Sequence, residues 1–219
     1  MSKEAYYTIL GVKADASREV LTVFNAPTES STQWKELFYE LKQRGVKQVN
    51  LVVCDGLSGI ENAIKEVFPQ SEVQLCTVHL KRGILSKVKS CDKAVIAQSL
   101  KEVFSTENKY NTPLSGHEKF VSFIEQWKVK YPSLKSYLIP RTHLYFTYLK
   151  YDIKIQSMIY TTNWIERLNR NYRRVTKMRG ALPNAESALF LLGATAMDRD
   201  EYTYPIHAFL NTDLFQQKT

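Results

Sequence analysis

The sequence has no apolar run approaching the roughly 20 residues of a membrane span, so no transmembrane helix is expected. Cysteine is scarce: Cys54, Cys76 and Cys91 cannot all pair within one chain and make no disulfide framework. A reducing compartment follows from that usage. The opening MSKEAYYTIL contains no apolar core of the kind that marks a leader peptide. Internal repeats and low-complexity tracts are missing too. These absences together lead to the expectation of a cytoplasmic protein without a membrane partner.

What remains is ordinary globular composition, 44% hydrophobic and 24% charged over 219 residues. That length suits one large domain, or one domain with a sizeable insertion. The formal net charge is +8. Such a balance favours acidic partners, nucleic acid first, because Lys and Arg that neutralise phosphates release condensed counterions. Where the charge sits matters more than its sum.

Residues Ala5–Val12 (AYYTILGV) and Arg18–Asn25 (REVLTVFN) are rich in aromatic and β-branched side chains. The short polar KADAS between them, which holds Asp15, predicts a hairpin. Over Ser30–Arg44, Trp34, Leu37, Phe38 and Leu41 recur at helical spacing, with Ser31 or Thr32 as a cap and Gly45 as the stop. Gln48–Cys54 (QVNLVVC) contains a continuous apolar run, expected of a strand covered on both faces. A helix over Gly59–Phe68 and a strand over Glu72–Val78 follow. The order is that of an α/β layered domain. From His79 to about Lys130 the pattern is helical, broken near Ser105–Gly116. Tyr131–Met158 is aromatic-rich and shows no clear period. Helices are expected again over about Thr162–Lys177 and Asn184–Arg199.

Three groups of residues could carry chemistry. Asp55 stands at the end of a strand, where side chains of an α/β sheet reach a crevice; an Asp that starts a turn or caps the next helix is the simpler reading. Gly56 allows a sharp turn after it. Cys76-x2-His79 could place a thiolate and an imidazole on one metal ion. A structural zinc site needs four ligands, however, and Cys91 and His117 are too isolated to complete it; the alternative is a buried cysteine beside a hydrogen-bonded histidine. The third group is TTNWIERLNRNYRRVTKMRG, Thr161–Gly180. On a helical wheel Trp164, Ile165, Leu168, Tyr172 and Val175 share one side. Glu166, Arg170, Arg173 and Lys177 share the other, flanked by Asn163 and Arg174. Asn163–Arg179 carries six basic residues and one acid, more than half of the net charge. Glu166 is then either one half of an i,i+4 pair with Arg170 or a metal-binding carboxylate beside a cationic track for phosphates.

Two blocks, RGVKQVNLVVCDGLSGIENAIKEVFPQSEVQLCTVHLKRGILSKV (Arg44–Val88) and YTTNWIERLNRNYRRVTKMRGALPNAESALFLL (Tyr160–Leu192), resemble the Mutator-type transposases of bacterial insertion sequences. LGVKADASREVLTVFNAPTESSTQW resembles the segment that precedes the first block. The resemblance implies a ribonuclease H-like α/β core with a helical insertion before the last catalytic residue. Residues 1–88 would form the first part of the core and 89–158 the insertion. Residues 159–200 would hold the core helices with the catalytic Glu and the basic face, and 201–219 a C-terminal tail.

It further implies a DDE active site with two Mg²⁺ or Mn²⁺ ions, in which Asp55 matches the second acid and Glu166 the third. Cys76 and His79 match a family C-x2-H signature, and Asn163, Arg170, Arg173, Arg174 and Lys177 are the candidate DNA contacts. The implied partners are double-stranded DNA, both element ends and target, and further transposase subunits; the implied place is the bacterial cytoplasm at the nucleoid. In the family the first catalytic Asp lies on a strand before the AYYTILGV-like strand. Here Met1–Glu4 precede that strand, Glu4 is misplaced and Asp15 belongs to the hairpin connection. The expectation is therefore a truncated, inactive form with an incomplete metal site and its first strand missing. A non-catalytic DNA-binding or oligomerising fragment that modulates intact transposase is the alternative. A ribonuclease H-like nuclease that cleaves without joining is a third reading, which the second block disfavours.

Overall fold

The computed structural model describes residues 5–13, 17–26, 30–57, 59–108 and 110–197. Glu4, Asp15 and the tail expected over 201–219 lie outside them. The chain is α/β and divides into two compact units. Among the described residues the first draws on 5–47, 59–69 and 163–197, the second on 48–57 and 70–162.

In the first unit β1 (Tyr6–Val12) and β2 (Arg18–Asn25) form the expected antiparallel hairpin, with a register shift between Ile9 and Leu10. Its residues do not alternate apolar with polar because both faces are covered. On one face Tyr7 and Phe24 stack at 5.3 Å, and Trp34 meets both edge-on at 5.4 and 5.3 Å. Trp34 belongs to α1 (Ser31–Gln43), whose Leu37, Phe38 and Leu41 are also buried. On the other face Tyr6, Leu10, Val20 and Val23 pack against Leu168 and Tyr172 of α7 (Asn163–Arg179) and Leu192 and Ala196 of α8 (Ala185–Met197). The large side chains packed on these two faces gain burial, on the order of 1.5–3 kcal/mol each when complete, while Val12 at the end of β1 stays exposed.

The ends of α1 show how local chemistry sets a helix. Its cap is Ser30, one residue before the expected positions, and its side chain accepts the Gln33 N–H at 3.3 Å. At the other end Gly45 takes φ 107. The Gly45 and Val46 N–H groups donate back to Lys42 and Leu41 at 3.1 and 3.0 Å, which satisfies carbonyls the helix leaves open. Gly59 starts α2 (Ile60–Val67) at φ 80, and a Cβ there would stand 2.6 Å from that of Ser31. That position therefore needs glycine twice over, for conformation and for space.

In the second unit β3 (Leu51–Cys54) and β4 (Glu72–Leu75) pair in parallel, Cys54 beside Leu75. Both strands are shorter than the sequence suggests. Leu51, Val52 and Val53 are only half-buried, so the expectation of a strand covered on both faces holds at Cys54 alone. The helices are α3 (Thr77–Ser86), α4 (Lys93–Val103), α5 (Pro113–Trp127) and α6 (Ile153–Ile159). Pro113 and a reciprocal Thr112–Ser115 capping box start α5 after the expected polar break. The aromatic-rich stretch is largely 3₁₀, over Pro132–Tyr137 and Pro140–Lys150, each opened by a proline. Phe104, Phe120 and Phe146 form the core there, Phe104 stacked on Phe146 at 5.0 Å. Gly116 lets α5 approach, since a Cβ would meet Phe146 at 2.6 Å.

Asp92, just before α4, is held by Lys130 at 2.6 Å and by the Tyr131 hydroxyl. The Lys130 contact first, and the Tyr131 hydrogen bond second, hold its carboxyl below the ordinary carboxylate value. A carboxyl lowered on folding stabilises the fold above its unfolded pKa, about 3.9, and that contribution fades as pH falls through the lower folded value. The urea midpoints of wild type and Asp92→Asn are accordingly expected to differ at pH 7 and to converge at acid pH. A difference that widens in acid would refute the assignment.

Candidate functional site

Parallel pairing makes β3 and β4 end side by side, since the Cys76 N–H donates to the Cys54 carbonyl at 2.8 Å. The next residues, Asp55 after one strand and Cys76 after the other, therefore emerge at one edge. The chain does not continue as strand to Val78. It turns into α3 at Thr77, whose backbone N–H and hydroxyl both donate to the Tyr160 carbonyl, at 3.1 and 3.0 Å. Cys76 becomes the residue capping α3 and His79 lies in its first turn. Positions three apart on a helix start face the same way, which points both side chains at Asp55.

The result is a compact polar cluster. His79 Nδ1 stands 2.9 Å from Asp55 Oδ1 and 3.2 Å from Cys76 Sγ. The Thr162 hydroxyl lies 3.4 Å from Cys76 Sγ and donates to Asp55 Oδ1 at 3.4 Å. Cys76 is buried, whereas Asp55 and His79 keep 40% and 43% of their side-chain surface in solvent. The carboxylate is thus oriented from inside and reachable from outside. The Asp55 backbone carbonyl also accepts the Leu57 N–H at 2.6 Å, so the chain turns directly after the strand. Gly56 has no positive φ; a Cβ there would stand 2.6 Å from the end of the Arg141 side chain, which would have to shift.

Beside this cluster, burial pulls the Lys81 ammonium below its usual pKa while the nearby Cys76 pushes the other way. Phe104 and Tyr160 flank Lys81 at 5.0 and 5.4 Å. None of the three cysteines is in a disulfide; Cys54 and Cys76 are buried and Cys91 is exposed.

The remaining candidates lie on α7, in the first unit. Leu168 and Tyr172 are buried and Trp164, Ile165 and Val175 half-buried, the apolar stripe read from the sequence. Arg170, Arg173, Arg174 and Lys177 are exposed, as are Asn163, Arg167 and Arg179. Glu166 is half-buried in the first turn, where a negative charge suits the helix dipole. Arg18 of β2 lies over the Trp164 ring at 5.1 Å, tying the start of the helix to the hairpin. Beyond it Asn169, Arg173 and Thr176 border an open groove of about 590 Å³ that Thr8, Pro183 and Asn184 also line.

Thr162 and Arg141 were not singled out by the sequence. Thr162 sits at the head of the basic block, a signal that could have drawn attention to it; Arg141 has none. No described helix is long and apolar enough to cross a membrane.

Comparison with known proteins gives a consistent result. A family model described as "Transposase, Mutator family" matches residues 1–205. The chain is 34% identical over 187 residues to the transposase for insertion sequence element IS905 of Lactococcus lactis, covering 85% of this chain and 46% of that protein. It is 34% identical over 190 residues to the transposase for ISRM3 of Rhizobium meliloti, with 86% and 46% covered. The transposase for IS256 in transposon Tn4001 of Staphylococcus aureus is 28% identical over 214 residues, with 97% and 54% covered. The chain thus spans about half the length of the curated relatives it matches.

Proposed function

The chain belongs to the Mutator family of transposases, and from that premise we propose that it binds double-stranded DNA through α7 and carries two of the three carboxylates of a DDE-type strand-transfer centre. The observation that carries this reading is the division of α7, with Leu168 and Tyr172 buried and four cations at 170, 173, 174 and 177 facing solvent. Cations so placed neutralise phosphates and position a strand without reading its sequence.

Asp55 and Glu166 are the metal-binding carboxylates of the proposal. Mg²⁺ and Mn²⁺ take oxygen ligands, and Asp55 fits that demand: its carboxylate lies at a strand end, 40% exposed. Held there, such ions would supply activation of a water or 3′-hydroxyl and charge stabilisation of the leaving oxygen in a displacement at phosphorus. His79 and Thr162 hold Asp55 Oδ1 and so fix the carboxylate's orientation. The arginines of α7 hold the phosphate backbone. The first acidic role has no match within these 219 residues, which hold two of the three carboxylates of the proposal. The same reading makes the chain a ribonuclease H-like core with a helical insertion over 89–158, acting at the bacterial nucleoid.

A second reading is a non-catalytic DNA-binding fragment that modulates intact transposase through mixed oligomers. It is favoured by the outward cations of α7, which need neither carboxylate to attract DNA. Fluorescence anisotropy of a labelled duplex tests what the two readings share. Wild type is expected to bind with an affinity that falls steeply as salt rises, and Asp55→Ala and Glu166→Ala are expected to bind comparably. Absence of binding even at low salt would defeat both.

A further inference from the structure

Asp55, Cys76 and His79 offer a carboxylate oxygen, a thiol sulfur and an imidazole nitrogen that all lie within 4.8 Å of one another. Among the described residues this is the group of such donors that could hold a metal ion. Sequence spacing alone left Cys76 and His79 without further ligands. The parallel end of β3 and β4 supplies Asp55 as the third.

We infer that these three side chains form a binding site for a single thiophilic divalent cation of the zinc class. Zinc binds sulfur at about 2.3 Å and nitrogen or oxygen at about 2.0–2.2 Å, so tetrahedral donors around one ion stand about 3.3–3.7 Å apart. The observed 2.9 Å between Asp55 Oδ1 and His79 Nδ1, and 3.2 Å between His79 Nδ1 and Cys76 Sγ, fall a few tenths of an ångström short. Small χ rotations open them to coordination distance, and the exposure of Asp55 and His79 supplies both the room and the entry path. Three protein ligands would leave a fourth position for water, and the Thr162 hydroxyl stands 3.4 Å from both Asp55 Oδ1 and Cys76 Sγ.

The donor set decides the class of ion. A thiolate and an imidazole are soft or borderline ligands that suit zinc, whereas Mg²⁺ seeks oxygen alone. Binding exchanges the thiol proton of Cys76 for the metal and releases it to solvent. The site shares Asp55 with the proposed strand-transfer centre but involves neither DNA nor Glu166. Cys76 and His79 belong to it alone, so a titration that reads the thiolate can fail or succeed without the strand-transfer reading.

Titration of the reduced, metal-free 219-residue protein with Co²⁺ tests the inference. A sulfur-to-cobalt charge-transfer band is expected to saturate at one equivalent and to vanish when one equivalent of Zn²⁺ is added. Millimolar Mg²⁺ is expected to leave it unchanged. Cys76→Ser should abolish the band, and His79→Ala and Asp55→Asn should each weaken Co²⁺ binding at least tenfold. Cys91→Ser should retain it in full. His79 is exposed, so its variant remains informative if the buried Cys76 variant fails to fold. Absence of the band in wild type, or undiminished affinity in His79→Ala, would overturn the assignment.

Discussion

Replacing Arg170, Arg173, Arg174 and Lys177 together by alanine is expected to weaken duplex DNA binding between about a hundredfold and a thousandfold near 0.1 M salt. All four side chains are exposed on one face of α7. From position 170 to 177 the helix advances on the order of 10 Å, enough to track several phosphates along a strand. Each cation that neutralises a phosphate contributes about 0.9 to the slope of log affinity against log salt. The quadruple variant should therefore bind more weakly and also lose most of its salt dependence. The second effect separates lost phosphate contacts from damage to the fold. Alanine is a stronger helix former than the residues it replaces, and none of the four is in the core. Unchanged affinity with an unchanged salt slope would remove α7 as the DNA-binding element.

A change of similar size in stability is expected at Gln74. Its side chain is fully buried in β4, yet it meets the backbone three times. Its Nε2 donates to the carbonyls of Leu75 and Tyr145 at 2.6 and 3.1 Å, and its Oε1 accepts the Tyr148 N–H at 2.7 Å. Thr147 adds a hydroxyl donated to the Val73 carbonyl at 2.7 Å. Gln74 thus stands in for a neighbouring strand and ties the irregular Pro140–Lys150 segment to the sheet. Gln74→Leu keeps the volume but orphans buried backbone groups, each at about 1–3 kcal/mol. A loss of about 3–5 kcal/mol in urea unfolding is expected. Gln98→Leu serves as the comparison: that exposed side chain bonds only to Glu102 among the contacts seen and should shift stability by less than about 0.5 kcal/mol. Equal effects at the two positions would show that the buried clamp contributes nothing.

Much of the architecture could be read from the sequence because its signals are local. Arg18–Asn25 matches its expected strand to the residue, and the period of Trp34, Leu37, Phe38 and Leu41 locates α1. The apolar stripe of α7 is where helical spacing put it. The 3₁₀ region was not legible, for a physical reason. Phe146, Thr147, Tyr148 and Leu149 are all buried in succession, so burial there follows neither the strand period nor the helix period. The start of α3 was misread because Cys76-Thr77-Val78 has the composition of a strand, while the hydrogen bonds that turn it come from Tyr160, more than eighty residues away.

The candidate site divides in the same manner. Strand-end position singles out Asp55, the C-x2-H spacing Cys76 with His79, and the lone acid of the basic helix Glu166; the family resemblance adds roles to Asp55 and Glu166. That Asp55 meets Cys76 and His79 depends on two strands ending in register, which no local pattern encodes. The structure places Asp55 at the end of β3, beside Cys76 and His79.

On the proposed reading these 219 residues engage DNA and hold two of the three carboxylates that strand transfer uses. Incubating the purified chain with labelled insertion-element-end duplex and Mg²⁺ or Mn²⁺, then resolving bound complexes and product strands, tests it most directly. The expected result is retarded DNA with its strands intact and unjoined. Metal-dependent joined products that disappear in Glu166→Ala would contradict it.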